Sequence, residues 1–553
     1  MTETSGWTGP EVAALRHRAE LWIADDPDPV TRAELQAVLS GFPGTLDDLA
    51  DRFAGPLTFG TAGLRGPVRA GPNGMNRAVV RAAAAGLCAY LDDHRADGAV
   101  VIGYDARRGS AAFAAETAAV VTGGGRAALL LPRPLPTPVL AYAVHRLDAA
   151  AGVMVTASHN PPGDNGYKVY LSDGAQIVPP ADREIEERIR AVEQLGTVPL
   201  GTAAQQVDER LVTEYIAATV QAVVGADPDA DARRAALRVA YTPLHGVGRE
   251  VLEQAFAAAG FAAPAVVPSQ AEPDPAFPTV AFPNPEEPGA VDELLALAAS
   301  VGADIAIAND PDADRCAVAV PSPSGWRLLH GDEVGVLLAD ALLRHGVKGT
   351  FATTIVSSSL LGTLAPARGA RAAETLTGFK WIVRAADDLA YGYEEALGYA
   401  VAPDVVRDKD GIGAALAIAD LAAELKARGR TLTDRLDELA MEFGLHATTQ
   451  LSVRVDDLRE IAAAMGRIRS GTPETLLGRE VTEVHDRLPS ADVLTLRAPG
   501  VRVVVRPSGT EPKLKAYLEV VEPVSAGVDT ARDVAASHLA ALRSEVAAVL
   551  GLR

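Results

Sequence analysis

Gly152-Val153-Met154-Val155-Thr156-Ala157-Ser158-His159-Asn160-Pro161-Pro162-Gly163-Asp164-Asn165-Gly166-Tyr167-Lys168 is the stretch from which the rest of the chain is read. Its first four residues are an apolar run ahead of turn formers, the pattern of a buried strand. From Thr156 onward, Pro161, Pro162, Gly163, Asn165 and Gly166 predict a loop that continues neither helix nor strand. The Ser158 hydroxyl is thereby presented at a strand end beside His159, with the Lys168 ammonium further along the loop. Such a set equips a serine to carry a transferable group. The G-x-S-x-G elbow of the hydrolases is absent, because neither flanking glycine is present.

The same strand-then-polar-loop unit recurs outward in both directions. Val100 to Tyr104 is an apolar run followed by a helical pattern near Ser110 to Val121. Leu237 to Tyr241 enters Thr242-Pro243-Leu244-His245-Gly246, and Asp304 to Ala308 enters Asn309-Asp310. Thr350 to Ile355 precedes Ser357 to Leu361, and Val406 to Gly411 opens a helix to about Ala427. This alternation predicts mixed or parallel sheets covered by helices, with ligands at the carboxyl ends of strands. Residues 10–50 read as helical, Asp28-Pro29 and Thr31 offering a helix start. The last hundred residues differ: Val501 to Val505 and Leu514 to Val521 read as paired strands around one loop, followed by a terminal helix.

At 553 residues the chain has room for three or four domains. Acidic residues exceed basic ones by 72 to 51, a net charge of −21, so the surface repels nucleic acid and anionic membrane. Cys88 and Cys316 are the two cysteines, too few for a disulfide framework. The amino terminus has no apolar signal core, and no apolar run reaches the length of a membrane span. These features predict a cytoplasmic protein. Arginine dominates the basic residues, and five of the seven lysines fall in Gly/Pro/Asp-rich loops, which supports those loops as parts of a site.

Asp310-Pro311-Asp312-Ala313-Asp314-Arg315 places three carboxylates at alternating positions after a strand, hard oxygen donors suited to Mg²⁺ or Ca²⁺. An EF-hand would need Gly at loop position six and Glu at twelve; Arg315 and Pro321 stand there instead. Arg506-Pro507-Ser508-Gly509-Thr510-Glu511-Pro512-Lys513 combines hydroxyls, a glycine and an arginine in the manner of an anion-binding nest. Phe59 to Gly66 is a second glycine-rich loop, delivering Arg65. Weaker polar loops hold Thr377-Gly378-Phe379-Lys380, Glu394-Glu395-Ala396 and Arg407-Asp408-Lys409-Asp410-Gly411. The carboxylates of the first loop repel one another unless cations neutralise them. A phosphorylated Ser158 and a sugar phosphate would add more negative charge. Arg65, Arg315, Lys168, Arg506 and Lys513 can offset it, which is what phosphoryl transfer requires.

In these motifs and their order, from about residue 45 to the C-terminus, the chain resembles the α-D-phosphohexomutases, the phosphoglucomutases and phosphomannomutases. The resemblance implies an α/β protein of four domains around a central cleft, three related mixed α/β sandwich domains and a C-terminal α+β domain. The expected limits are a helical extension over 1–45, then 46–205, 206–325, 326–440 and 441–553. It further implies that Ser158 carries the phosphoryl group and joins Asp310, Asp312 and Asp314 around Mg²⁺. Lys168 is then the general acid/base, with His159 as a helper. Arg65 and Arg315 clamp the phosphoserine. Thr377, Gly378, Glu394, Ala396 and Lys409 face the sugar, and Arg506, Ser508, Gly509, Thr510 and Lys513 hold its distal phosphate.

The implied activity interconverts hexose 1-phosphate and hexose 6-phosphate, glucose preferred, through a bisphosphate, with glucose 1,6-bisphosphate or a similar compound as activator. The expected partners are small sugar phosphates, with no nucleic acid and no membrane, the chain acting as a monomer or homodimer. Many hexomutases read Glu-x-Ser in the sugar loop; here Ala396 replaces the serine. That change and the N-terminal extension point to the branch that includes phosphopentomutases, so mannose and pentose phosphates are alternative substrates. A metal-dependent sugar phosphatase is the alternative class, disfavoured by the loop for a second phosphate.

Overall fold

The computed structural model describes residues 7–58, 63–224, 230–455, 457–508 and 513–551. They form two compact units, Met1–Arg327 with Ala402–Ala419, and Leu328–Val401 with Asp420–Arg553.

In the first unit, helices Gly9–Asp25, Pro29–Ser40 and Leu46–Arg52 bury Leu15, Leu35, Leu49 and Phe53 against one another. Asp28 caps the second helix, its Oδ1 accepting the Val30 N–H at 2.9 Å. A six-stranded sheet follows, ordered Leu64–Pro67, Asp164–Leu171, Ala151–Val155, Val100–Tyr104, Ala128–Leu130, Gln205–Gln206. The four strands from Ala151–Val155 outward are parallel, and Asp164–Leu171 runs antiparallel to Ala151–Val155. In the second sheet Val239–Thr242 lies parallel to Ala265–Val266 and Ile305–Ala308, and Ala317–Ser322 returns antiparallel.

The second unit repeats this plan. Thr350–Thr354 is parallel to Arg371–Thr375 and Leu389–Glu394, and Gly398–Ala400 returns antiparallel. Its other sheet is antiparallel throughout, Leu445–Arg454, Lys513–Glu522, Val501–Pro507, Leu494–Ala498, Glu483–Asp486. Helices Leu458–Ser470 and Val528–Leu550 share its core through Ile468, Leu542 and Val546.

The first three sheets use one device. The chain leaves a buried parallel strand, makes a short loop and returns antiparallel beside it. The loops so placed are those of Ser158, of Asp310–Asp314 and of Glu395–Leu397. Each contains one non-glycine residue in the left-handed region, Ser158 at φ 51°, Ala313 at φ 52° and Leu397 at φ 64°. These conformations cost free energy unless the surroundings impose them.

Two expectations are corrected here. The loop after Thr156 ends at Gly163, and Asp164–Leu171 is a strand. Tyr167, Val169 and Tyr170 are β-formers that are buried in the sheet, and they outweigh Asn165 and Gly166. In the C-terminal domain Val501–Pro507 and Lys513–Glu522 do pair around one loop, but within a five-stranded sheet beside a further two-stranded one; the sheet's edge strands, Leu445–Arg454 and Glu483–Asp486, are largely polar and present no apolar run to read.

Candidate active site

Ser158 is buried at the end of Ala151–Val155, and its N–H donates to Thr156 Oγ1 at 2.9 Å. Its Oγ donates to Asp310 Oδ2 at 2.7 Å and lies 3.2 Å from His159 Nδ1. Because Lys168 lies on the returning strand, paired with Met154, its side chain is fixed by the sheet rather than by a loop. Its ammonium donates to Asp312 Oδ2 at 2.7 Å and Asp314 Oδ2 at 3.0 Å. Arg65, on Leu64–Pro67, pairs with Gly166 across the same sheet, and its Nη1 donates to Asn160 Oδ1 at 2.8 Å. Gly63 has φ 87°, and a Cβ there would meet the Tyr167 carbonyl at 2.2 Å, so this close edge requires glycine.

Asp310, Asp312 and Asp314 are buried, each with a carboxylate oxygen within 4.8 Å of the others. One oxygen of Asp312 and one of Asp314 have no hydrogen-bond partner. Two orphaned anionic oxygens in a buried cluster are costly unless a cation takes them, so the donor set fits a hard divalent metal. Burial, then the charges of Asp312 and Asp314, push the Asp310 carboxyl well above the usual range. Burial would do the same to Asp314, but Lys168, Lys409 and Arg315 outweigh it and hold it low. For Lys168 burial alone would lower the ammonium's pKa; Asp312 and Asp314 reverse this and raise it. His159 is the opposite case, kept neutral by burial and then by Arg315 and Arg65.

The cluster is braced by residues the sequence reading did not single out for this role. Thr137, opening the helix Thr137–Arg146, donates its hydroxyl to Asp312 Oδ2 at 2.6 Å and its N–H to the Asp312 carbonyl at 2.9 Å. Lys409, read with the sugar residues, lies in the first unit with its ammonium 3.1 Å from Asp314 Oδ2. Gly411 follows so closely on the metal loop that a Cβ would lie 2.3 Å from the Arg315 carbonyl. Arg315 itself lies 4.0 Å from both Asp310 and Asp314 and 3.9 Å from Glu286. Arg107 donates to the Ser158 carbonyl at 2.6 Å. Its local mark in the sequence is Asp105-x-Arg107 immediately after a buried strand, which does not by itself point to the Ser158 loop.

In the second unit, Thr377 and Gly378 lead into the short helix Phe379–Ile382. Glu394 ends a strand, and Ala396 sits in the hairpin to Gly398. Glu395 Oε2 accepts from Ser357 Oγ at 3.0 Å and Thr354 Oγ1 at 3.2 Å, so this carboxylate is committed to the sheet end. Arg506 and Lys513 lie on the adjacent strands Val501–Pro507 and Lys513–Glu522, and the Ser508 N–H donates to the Lys513 carbonyl at 2.7 Å. Gly509 and Thr510 lie outside the described residues. Tyr517 joins the two groups. Its phenol is pushed up by burial and then by Glu395, and pulled back by Arg506. Each unit thus assembles its own polar cluster, the first around Ser158 and the aspartates, the second around Glu395, Tyr517 and Arg506.

Residues 56–196, 213–324 and 330–443 match the phosphoglucomutase/phosphomannomutase alpha/beta/alpha domains I, II and III, and 451–537 match the C-terminal domain of the same family. A Haemophilus influenzae protein named "Probable phosphomannomutase" is 46% identical over 81% of this chain and 93% of its own. The phosphopentomutase of Mus musculus is 35% identical over 92% and 91%. A phosphoglucomutase of Staphylococcus aureus RF122 is 33% identical over 91% and 96%. A crystal structure of a Thermus thermophilus protein assigned as a phosphomannomutase superposes with TM-score 0.68 at 26% identity, covering 87% of this chain and 99% of that one. With its four domains matched in order and its relatives aligned over most of their length, this chain belongs to the phosphoglucomutase/phosphomannomutase family.

Proposed function

We propose that this chain is a phosphosugar mutase, an intramolecular phosphotransferase interconverting hexose 1-phosphate and hexose 6-phosphate, with glucose preferred. The observation that carries the reading is the Ser158 hydroxyl, 2.7 Å from Asp310 in the buried carboxylate cluster that also receives the Lys168 ammonium. Asp310, Asp312, Asp314 and Ser158 would hold the divalent metal that this family uses, and we assign it as Mg²⁺. When bound, it supplies positive charge that offsets the phosphoryl oxygens during transfer.

The residues divide the remaining work. Phosphorylated Ser158 loses its phosphoryl group as the P–Oγ bond breaks and a bond forms to a sugar hydroxyl, giving a bisphosphate. Oγ must then gain a proton and the sugar oxygen must lose one. Lys168 is the acid/base group we assign, and His159 Nδ1, 3.2 Å from Oγ, is a helper. Arg65 and Arg315 bring guanidinium charge to the transferred group. Arg506, Ser508, Gly509, Thr510 and Lys513 hold the other phosphate, while Thr377, Gly378, Glu394, Ala396 and Lys409 face the sugar. After the bisphosphate turns over, the reverse transfer restores phosphoserine, and glucose 1,6-bisphosphate serves as activator. Domain limits at 46–205, 206–325, 326–440 and 441–553 belong to this reading, supported by a sheet of four to six strands centred in each range. Among the described residues no helix is long and apolar enough to cross a membrane.

Glucose 1-phosphate with Mg²⁺ and a trace of glucose 1,6-bisphosphate, followed by ³¹P NMR, tests the proposal. Glucose 6-phosphate is expected; accumulation of inorganic phosphate would make the protein a phosphatase. Ala396 favours a second reading, since it removes a hydroxyl from the sugar loop. Comparing kcat/KM on glucose, mannose and ribose phosphates separates hexose from pentose specificity.

A further inference from the structure

We propose that Arg107 is a positioning residue for phosphoryl transfer, holding the Ser158 loop in the strained conformation that aims Oγ at the aspartate cluster. The inference rests on the reading of Ser158 as the phosphoryl carrier. Ser158 has φ 51°, a conformation that costs a non-glycine residue about 1–2 kcal/mol. Something must impose it. Nη2 of Arg107 donates to the carbonyls of Ser158 and Asn160, both at 2.6 Å. Nη1 donates to those of Pro161 at 2.8 Å and Asp164 at 3.2 Å. One guanidinium thus donates to three carbonyls of the Ser158 loop and to that of Asp164, which opens the returning strand, groups whose burial without a donor would be costly.

Arg107 is anchored in turn. The strand that precedes it, Val100–Tyr104, pairs with Ala151–Val155, so the two strand ends lie side by side. Its N–H donates to Asp105 Oδ1 at 2.9 Å, its Nε lies 3.5 Å from Asp105 Oδ2, and its guanidinium carbon is 4.8 Å from the centre of the Phe277 ring. Asp105 is fixed by the Ser110 hydroxyl at 2.6 Å. The guanidinium fork explains why arginine is needed: an ammonium is a compact point charge with three donors and cannot span these four carbonyls. Arg107 hydrogen-bonds to the backbone around Ser158 and to none of the three aspartates, which its charge reaches only at longer range, so its positional effect on transfer runs through Ser158.

Arg107→Lys tests this, read by steady-state kinetics and by amide hydrogen exchange of residues 157–164. Misplacing Oγ by a fraction of the loop's width should lower kcat by about 10²-fold. KM should stay within about threefold, because substrate contacts are untouched. Exchange in the loop should quicken while Ala151–Val155 stays protected. A wild-type kcat, or KM and kcat worsening together with unchanged loop exchange, would overturn the proposal. If Arg107→Lys does not fold, Asp105→Asn loosens the same guanidinium while leaving it present. It should show the same kcat-selective loss in milder form, and a wild-type kcat there also overturns the proposal. Should the wild-type protein itself show no mutase turnover, the Ser158 reading is at fault. Exchange then decides Arg107: faster exchange in the variant upholds its hold on the loop, and unchanged exchange overturns it.

Discussion

Ser158 stands or falls by its oxygen. Ser158→Ala removes the atom that donates to Asp310 and leaves the apolar packing of Ala157 and Val155 intact, so folding should survive. Mutase turnover should drop by at least about 10³-fold, as expected on losing a covalent carrier. Intact-mass measurement should show no phosphoryl group on the variant after incubation with glucose 1,6-bisphosphate; a retained group would move the carrier elsewhere. The aspartates predict a second outcome. Chelation with EDTA should abolish turnover and added Mg²⁺ should restore it, whereas Asp312→Asn should lose activity that Mg²⁺ does not restore, because it removes the charge of a ligand that also accepts from Lys168 and Thr137. Metal-independent turnover by wild type would contradict the assignment. At this scale Ser158, Lys168 and the three aspartates, singled out from the sequence, are brought into contact. The sequence did not reveal Thr137 or Arg107, because their partners are 175 and 51 residues away in the chain.

Among the elements, the hairpin loops and the segment Ala402–Ala419 carry the most meaning. Asp410 accepts the N–H groups of Ile412 and Gly413 and the Tyr215 hydroxyl, fixing the start of the helix Gly411–Ala427. That helix start presses Gly411 onto the Asp310–Arg315 loop. Gly411→Ala should therefore displace Arg315 and Asp314, costing roughly 1–3 kcal/mol of stability by overpacking. A fall in kcat should accompany the lower Tm; a variant with unchanged Tm and kcat would show that the loop can yield. The strands and helices that position the site were readable where apolar residues run together, as in Ala151–Val155 and Ile305–Ala308. Asp164–Leu171 was not, because Asn165 and Gly166 read as a turn until Leu64–Pro67 and Ala151–Val155 pair with the strand on either side.

Across the molecule, the third and C-terminal domains are tied by a buried carboxylate. Glu519 Oε1 accepts from Ser358 Oγ at 2.9 Å and the Ser359 N–H at 2.8 Å, and Oε2 lies 2.9 Å from Arg502 Nη2. Burial would raise its pKa, but Arg502 and then His446 override burial and lower it to about 2, against an ordinary 4.5. A depressed carboxylate pKa adds stability above the unfolded value, here on the order of 3 kcal/mol, and this is lost as pH falls from about 4.5 toward 2. Glu519→Gln should be less stable than wild type at pH 7, and the gap in Tm should narrow below pH 4.5. A gap constant from pH 7 to pH 3 would refute the ion pair's role. The motifs, their order and the βα alternation were determined by the sequence itself, because strand burial and turn chemistry are written in neighbouring residues. Which side chains share a cluster was decided only by the tertiary structure. Lys409 meets Asp314, Arg107 meets the Ser158 loop and Thr137 meets Asp312 because strand ends distant in the chain are brought side by side, a proximity that local propensity does not encode.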